Sequence, residues 1–356
     1  MTSGSSLHRV LTFKNMSAQL IDALVCTNPG ELVIAQRPAP VPAAGEVLVR
    51  PRRVGICGTD YHIFEGKHPF LQYPRVMGHE LGVEVVEAPA DSGYRPGEIC
   101  AVNPYLSCGT CVACRQGKPN CCVRIAVLGV HRDGGMTSLL TLPAKNLVRA
   151  EGLDIDACAT VEFLAIGAHA VSRGGVTARD RALVIGAGPI GLGAALFAKL
   201  AGADVTVLDL DANRLAAAAA LFGANTIQGG DGALEAAAAA TSGEYFDIVF
   251  DATGNAQSMQ KGFDFVGHGG RYVFVSVVKG AITFEDADFH RKEMTLLGSR
   301  NALSSDFERV IAAIRDGRVP LDQIITHRTT LAGAVSDLPL WATTKTGLIK
   351  ALISLD

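Results

Sequence analysis

Residues 181–201 read RALVIGAGPIGLGAALFAKLA, and this stretch decides the fold of the second half of the chain. Its first five residues are a short apolar strand, after which Gly186, Gly188 and Gly191 open a helix. In this pattern the first glycine permits a tight turn, the second lets a pyrophosphate approach the backbone, and the third lets the helix pack closely on the strand. The helix N-terminus adds free N–H donors for the phosphates. The stretch therefore predicts a dinucleotide-binding unit.

A carboxylate stands where such a unit needs one. Asp209 ends the next apolar strand, 23 positions after Gly186, near the spacing expected of a residue that accepts the ribose 2′-hydroxyl. Because a carboxylate repels a 2′-phosphate, NAD is expected in preference to NADP. The alternative is that Asp209 caps the next helix. The residues expected at the cofactor are Gly186, Gly188, Pro189, Ile190, Gly191, Asp209 and Arg214.

Strands and helices alternate through this half of the chain. The pattern predicts strands over 181–185, 204–209, 246–251 and 270–277, with helices over 189–201, 213–222 and 256–265. This alternation is typical of a parallel sheet with crossover helices. Before roughly residue 154 helical periodicity is scarce and β-branched residues are frequent, which predicts a β-rich domain. The tail after residue 301 contains one helical and one strand pattern and could close either domain.

Composition sets the outer limits on function. The 356 residues, 48% of them hydrophobic, are enough for two cores. A net charge of −3 favours neither nucleic acid nor a membrane surface as a partner, and the sequence lacks the run of about 18 apolar residues that a membrane span needs. The first 20 residues lack a secretory signal and are expected to be an extension, with translation starting at Met1 or Met16. Cytoplasmic localisation is expected.

A cysteine-rich loop, residues 103–122, reads NPYLSCGTCVACRQGKPNCC. Cys108, Cys111, Cys114 and Cys122 have spacings that let one segment surround a tetrahedral ion, which favours a closed structural zinc site. The alternative is a set of free or disulfide-bonded thiols, which a long chain with an odd number of cysteines makes less attractive. Cys121 falls outside the spacing and is not expected to bind the ion.

A second candidate metal site is open rather than closed. Cys57 lies in VGICGTDYH and His79 in VMGHE, and with one carboxylate they would leave a fourth position for an oxygen ligand. Spacing alone does not choose the carboxylate. Glu80 adjoins His79, whereas Glu162 lies in the helical stretch VEFLAIGAHA, where an unpaired buried carboxylate would be costly. A lone Cys or His is commonly structural, and Glu162 could instead face solvent.

Together, GICGTDYH, MGHE, the cysteine loop, VEFLAIGAHAV and GAGPIG resemble the zinc-dependent medium-chain dehydrogenase/reductase family, over about residues 21–355. The branch that looks most similar is the sorbitol, threonine and sugar-acid dehydrogenases, since Glu162 stands where ordinary alcohol dehydrogenases have Cys. The resemblance implies an α/β fold with a GroES-like β-rich catalytic domain (1–170 and 301–356) and a doubly wound Rossmann NAD-binding domain (171–300).

The resemblance also implies two zinc ions per chain and NAD. Cys57, His79 and Glu162 would bind the catalytic zinc, with Glu80 beside them as a neighbouring or exchanging ligand. Two positions depart from the family pattern. Glycine comes one place early, so that Val83 follows Gly82 where glycine is expected, and Phe163 replaces the usual proline after the third ligand.

The expected reaction is hydride transfer between NAD and a secondary alcohol of a polyol or hexonate-like sugar acid. By resemblance, Thr59 hydrogen-bonds the substrate hydroxyl and starts a proton relay, His62 stands nearby, and Arg300 reaches a substrate hydroxyl or carboxylate. A homodimer or homotetramer is expected. The competing hypotheses are a metal-free quinone or enoyl reductase and a non-catalytic NAD-binding relative, both of which should lack metal ligands that this sequence retains.

Overall fold

The computed structural model describes residues 19–67, 71–344 and 346–356. The predicted extension with Met1 and Met16 lies outside the described residues. Within them, no helix has the length and apolar character needed to cross a membrane.

The first part of the chain is built mainly from strands, as its β-branched composition predicts. The strands are β1 (Leu20–Asn28), β2 (Glu31–Pro38), β3 (Glu46–Ile56), β4 (Arg75–Val76), β5 (Glu80–Glu87), β6 (Ile99–Val102), β7 (Tyr105–Leu106), β8 (Ala126–Val127), β9 (Leu140–Pro143) and β10 (Leu147–Arg149). Three short helices interrupt them: α1 (Gly58–Phe64), α2 (Val112–Arg115) and α3 (Ile155–Cys158).

The second part alternates strands with helices. In chain order its elements are α4 (Val161–Gly174), β11 (Arg181–Ile185), α5 (Pro189–Leu200), β12 (Asp204–Asp209), α6 (Ala212–Phe222), β13 (Asn225–Gln228), α7 (Ala233–Ala240), β14 (Phe246–Asp251), α8 (Ala256–Lys261), β15 (Val266–Phe274), α9 (Asp286–Arg291) and β16 (Thr295–Gly298). The tail adds α10 (Ser304–Arg315), α11 (Leu321–Ile324), β17 (Ile325–Thr330), α12 (Ala334–Thr343) and β18 (Lys350–Ser354).

Six of these strands form one parallel sheet in the order β13-β12-β11-β14-β15-β16. That order, with β11 as the first strand, is the doubly wound arrangement, which binds ligands at the carboxyl ends of its strands where the order reverses. The fold class predicted from the sequence is confirmed. Two details differ. The predicted strand over 270–277 begins and ends earlier, as β15 (Val266–Phe274). The predicted helix over 256–265 ends at Lys261 and continues as a tight 3₁₀ turn.

The other large sheet has the order β10-β6-β5-β3-β18-β17, with β9 also pairing with β3. β3 is the central strand because β5 covers one edge while β9 and then β18 cover the other. The last strand of the chain, β18, therefore joins the sheet that contains β3 and brings Lys350 next to Ile56.

The tail contributes to both halves. α10 packs against α4, and its buried Phe307 and Val310 share a core with the α5 residues Leu196 and Phe197. β18 lies in the other core through Ile353. α4 runs across the predicted boundary at residue 170, and the domain limits remain a prediction.

Candidate active site and metal centres

The four predicted zinc thiols converge in the loop that carries α2. Their Sγ atoms are 3.4 Å apart for Cys108 and Cys122, 3.5 Å for Cys111 and Cys114, 3.8 Å for Cys111 and Cys122, and 4.0 Å for Cys108 and Cys114. A tetrahedral ion with Zn–S bonds of about 2.3 Å requires Sγ separations of about 3.8 Å. The thiols therefore fit a closed zinc site, while Cys121 is exposed.

Backbone groups around this loop favour thiolates. The N–H of Thr110 lowers the pKa of Cys108 to about 5, and the N–H of Cys114 lowers the pKa of Cys111. Arg124 donates from Nη2 to the Cys108 Sγ at 3.3 Å. Burial instead raises the pKa of Cys114 to about 11. A divalent cation would neutralise the negative charge of the Cys108 and Cys111 thiolates.

A second cluster joins the segments before α1 and β5. One ligand atom each from Cys57, His79 and Glu80 lies within 4.8 Å of the others. His79 and Glu80 are buried, whereas Cys57 is half-buried and gives the cluster a side towards solvent. Thr59 places its Oγ1 3.8 Å from the Cys57 Sγ.

Asp60, which the sequence analysis did not single out, fixes both segments. Its carboxylate accepts the N–H of Cys57 at 2.9 Å and the N–H of Gly78 at 3.2 Å, and it lies 4.0 Å from Nδ1 of His79. Burial raises the pKa of Asp60, although His79 opposes that shift. The available sequence signal was its position at the third residue of α1, where a carboxylate can reach back to the residue before the helix.

The charges around His79 favour a cation. Burial alone would lower the pKa of His79, but the nearby Cys57, Asp60 and Glu162 raise it well above its usual value. The Nδ1 atom is buried with no hydrogen-bond partner in the described part of the chain. A thiol, an imidazole and carboxylates in one buried pocket are the donor set that zinc prefers, so these residues fit the ion.

Lys350 holds the Glu80 carboxylate. Its Nζ lies 2.7 Å from each Glu80 oxygen and donates to the Ile56 carbonyl at 3.1 Å. Both side chains are fully buried. The Nζ also lies 4.3 Å from the centre of the Phe163 ring. Phe163, which departs from the family pattern, therefore contributes a ring face to this cation.

Glu162 reaches the same region from the first turn of α4. It is buried, and the Tyr105 hydroxyl donates to its Oε1. Burial raises the pKa of Glu162, while His79, Tyr105 and Lys350 act in the opposite direction. Glu162 is outside the tight group of Cys57, His79 and Glu80, so the structure brings both candidate carboxylates to the site without making them equivalent.

Two positions beside Glu80 have no room for a side chain, and both are glycines. A Cβ at Gly82 would lie 2.3 Å from the Ile155 carbonyl, since α3 packs on β5, and Val83 is completely buried. The packing of α3 on β5 therefore requires glycine at position 82, one place earlier than in the family pattern. A Cβ at Gly55 of β3 would lie 2.1 Å from a Glu80 oxygen.

The glycine loop between β11 and α5 has the expected shape. Gly186 has φ of 98°, in the left-handed region, and a Cβ at Gly191 would lie 1.7 Å from the Gly186 oxygen. Among the described residues, nothing lies within 4 Å of a Cβ built at Gly188, which leaves room for a pyrophosphate. Pro189 and Ile190 form the first turn of α5, and Gly188 precedes it without a side-chain cap.

Asp209 lies beside this loop. Its Oδ2 accepts the N–H of Ala187 at 2.6 Å, and its Oδ1 accepts the N–H of Asp211 at 2.9 Å. Arg214 places its Nη1 4.0 Å from Oδ2. Asp211 caps the helix that follows, α6, by accepting the N–H of Asn213. The helix cap that was the alternative interpretation of Asp209 is therefore made by Asp211.

The remaining predicted residues are more exposed. His62 lies on the exposed side of α1, and Arg300 lies after β16 at the rim of a cleft of about 410 Å³. Asn120 was not predicted from the sequence; its Nδ2 donates to the Arg300 carbonyl at 2.9 Å and contacts Nε2 of His169 at 3.2 Å. Asn301 returns a hydrogen bond to the Asn120 carbonyl at 3.0 Å.

Comparison with known proteins identifies the family. Residues 43–152 match the alcohol dehydrogenase GroES-like domain, and residues 189–316 match the zinc-binding dehydrogenase domain. The chain is 41% identical over 314 residues to the L-galactonate-5-dehydrogenase of Escherichia coli K12, covering 88% of this chain and 92% of that protein. The chain belongs to the zinc-dependent medium-chain dehydrogenase/reductase family.

Solved structures of dehydrogenases share this fold over nearly the whole chain. An alcohol dehydrogenase (RspB) from E. coli CFT073, complexed with NADH, has a TM-score of 0.88 and 30% identity, with 94% of this chain and 99% of that chain covered. A zinc-binding dehydrogenase from Sinorhizobium meliloti 1021, bound to NADP, has a TM-score of 0.87 and 28% identity, with 95% and 100% covered. The GroES-like and Rossmann parts predicted for this dehydrogenase are thereby confirmed.

Proposed function

We propose that this dehydrogenase oxidises a secondary hydroxyl of a sugar acid or polyol with NAD as hydride acceptor. The observation that carries the proposal is the convergence of Cys57, His79 and Glu80, with Glu162 close by, in a chain that also has the dinucleotide loop. The similarity to an L-galactonate-5-dehydrogenase supports a hydroxylated substrate of six-carbon type.

Cys57, His79 and one carboxylate would hold the catalytic zinc. Glu162 is proposed as the third ligand because Lys350 already occupies both oxygens of Glu80, which leaves Glu80 as a neighbouring or exchanging group. When bound, zinc supplies Lewis acidity that makes an alcohol easier to deprotonate. The second zinc belongs to the four-cysteine loop, giving two per chain.

Thr59 is proposed to accept the hydrogen bond of the substrate hydroxyl and pass its proton outward. Its Oγ1 lies 3.8 Å from Cys57, on the side of the cluster that is not fully buried. His62 follows one turn later on the exposed face of α1 and is proposed as the next group of the relay. Burial of His79 and Glu162 keeps bulk water from the reacting centre.

NAD is proposed over NADP because Asp209 lies next to the glycine loop, where its charge would repel a 2′-phosphate. Arg214 is too far from Asp209 for a short hydrogen bond and is proposed to contact the adenosine. Of the two similar structures above, one holds NADH and the other NADP, and the ratio of kcat/KM for NAD and NADP tests the proposed preference.

A metal-free reductase and a non-catalytic relative are less favoured because the ligands of both metal centres are present and clustered. We also propose a homodimer or homotetramer, to be tested by light scattering, and a cytoplasmic location. All nine cysteines are free in the described part of the chain, which suits a reducing compartment.

The test begins with zinc quantification and continues with NADH formation on hexonates, polyols and simple alcohols. We expect about two zinc ions per chain, activity on hexonates or polyols, and little on hexanol or benzyl alcohol. Cys57→Ser should lose activity and one zinc while keeping the fold, and Cys121→Ser is the matched control that should change neither. Activity restricted to simple alcohols, or an unchanged Cys57→Ser enzyme, would refute the proposal.

A further inference from the structure

Glu80 and Glu162 both reach the proposed catalytic centre, but the two carboxylates have different partners. Lys350 places its Nζ 2.7 Å from both oxygens of Glu80, so a fully buried cation neutralises this carboxylate. Tyr105 instead donates from its hydroxyl to Oε1 of Glu162. Because a hydroxyl carries no charge, Glu162 keeps its negative charge for another cation.

The hydrogen bond from Tyr105 also leaves one oxygen of Glu162 free. Within the described residues, Oε2 of Glu162 accepts no hydrogen bond and has no cation within ion-pair distance. Glu162 is 4% exposed, and so deeply placed a carboxylate is costly unless its charge is paired or binds a metal. Its charge is one of those that act on His79, so it lies within electrostatic reach of that ligand. A zinc ion shared with His79 and Cys57 would satisfy it.

The backbone of Tyr105 is fixed at the base of the cysteine loop. Its N–H donates to Oδ1 of Asn103 at 3.1 Å, and Nδ2 of Asn146 donates to its carbonyl at 3.3 Å. In the pairing of β7 with β8, Tyr105 lies opposite Val127. All three partners lie outside residues 108–122, so these contacts do not involve the four cysteines.

The ring of Tyr105 is buried as well. It is 8% exposed and lies in the core that contains Val161 and Phe163, the two neighbours of Glu162 in the chain. Burial and the nearby charge of Glu162 raise the pKa of Tyr105 well above its usual value, so its hydroxyl stays protonated and remains a donor. We infer that Tyr105 is a positioning residue that orients Glu162 as the third ligand of the catalytic zinc, an inference that rests on the function proposed above.

The test measures the affinity of the catalytic zinc in a Tyr105→Phe variant, which loses the hydroxyl and keeps the buried ring. Removing a hydrogen bond that orients a metal ligand should weaken this zinc about tenfold or more and leave the structural zinc unchanged. Zinc release from the loaded enzyme is followed with a competing chelator, without substrate or NAD. Cys57→Ser and Cys108→Ser, each expected to keep one zinc, identify which phase of release belongs to which ion.

Tyr272→Phe is the matched control. Tyr272 is completely buried, and its hydroxyl donates to the Met259 carbonyl at 3.0 Å, so this change also removes one buried hydrogen bond. Both zinc ions should be released from it as from the wild type. If Tyr105 only stabilised the fold, its variant would resemble Tyr272→Phe, with a lower Tm and an unchanged affinity for the catalytic zinc.

A double variant shows whether Tyr105 acts through Glu162. Glu162→Gln should weaken the catalytic zinc at least as much as Tyr105→Phe, because it removes the charge of the ligand. The Tyr105→Phe/Glu162→Gln protein should then bind zinc no more weakly than Glu162→Gln alone. Additive losses, an unchanged affinity in either single variant, or an equal loss of the structural zinc would overturn the inference.

The outcome for Tyr105 is separate from the outcome for the proposed function, because zinc release is measured without substrate. A wild-type enzyme that held both zinc ions but oxidised no polyol or sugar acid would refute the proposed function. The chelator results would still decide the role of Tyr105 in that case.

Discussion

Replacing Lys350 by methionine tests how the catalytic region is held together. Lys350 is 1% exposed and Glu80 is 0% exposed, and the change removes the Nζ that lies 2.7 Å from both carboxylate oxygens. The Ile56 carbonyl loses its hydrogen bond at the same time. Because a buried charge is left without its partner, the expected loss of stability is about 3–5 kcal/mol.

This loss can be read as a change in melting temperature. An unfolding entropy of about 2.1 cal/mol/K per residue gives about 0.75 kcal/mol/K for 356 residues. A loss of about 4 kcal/mol then lowers Tm by about 5 °C if the chain unfolds as one unit, and by about twice that if only half of it does.

The assay is thermal unfolding of zinc-loaded protein followed by circular dichroism. A Glu80→Gln/Lys350→Met double variant is the informative control because it removes the isolated charge and should recover part of the lost Tm. A Lys350→Met protein that melted within about 1 °C of wild type would show that the Glu80 carboxylate does not depend on this partner.

Three further predictions concern the cofactor loop and the cysteine loop. Gly191→Ala should abolish NADH binding, measured by fluorescence titration, because its Cβ would lie 1.7 Å from the Gly186 oxygen; unchanged affinity would contradict the packing. Asp209→Ser should shift the ratio of kcat/KM for NAD and NADP at least about tenfold towards NADP, since the charge beside the Ala187 N–H is removed; an unchanged ratio would remove Asp209 from coenzyme selection. Cys108→Ser should release one zinc and lower Tm while the remaining folded enzyme keeps its kcat, and full zinc content would argue against the closed site.

The glycine loop and the cysteine cluster were predictable because each is local. Gly186, Gly188 and Gly191 act within one turn, and the four cysteines lie within 15 residues, from 108 to 122, so spacing carries most of their geometry. The fold followed from the same kind of evidence, since alternating strands and helices leave few ways to build a sheet.

The surroundings of the catalytic cluster were not predictable from spacing. Tyr105 reaches Glu162 across 57 positions, and Lys350 reaches Glu80 across 270. No periodicity in the sequence links such residues. The contact between Lys350 and Glu80, for example, depends on how β18 pairs with β3. Asp60 is close in sequence to Cys57, but its contact with the second segment depends on Gly78, which comes from 18 positions further along the chain.

The contact between Lys350 and Glu80 also has a consequence for refolding. Bringing together groups 270 positions apart means closing a very long loop, so this contact is expected to form only after the local helices and hairpins are in place. Secondary structure should therefore return earlier than enzymatic activity when the denatured protein is diluted into buffer. During that interval the four cysteines of the cysteine loop, which are neighbours along the chain, could already hold the proposed structural zinc, so that the two proposed zinc ions would be acquired in sequence rather than together.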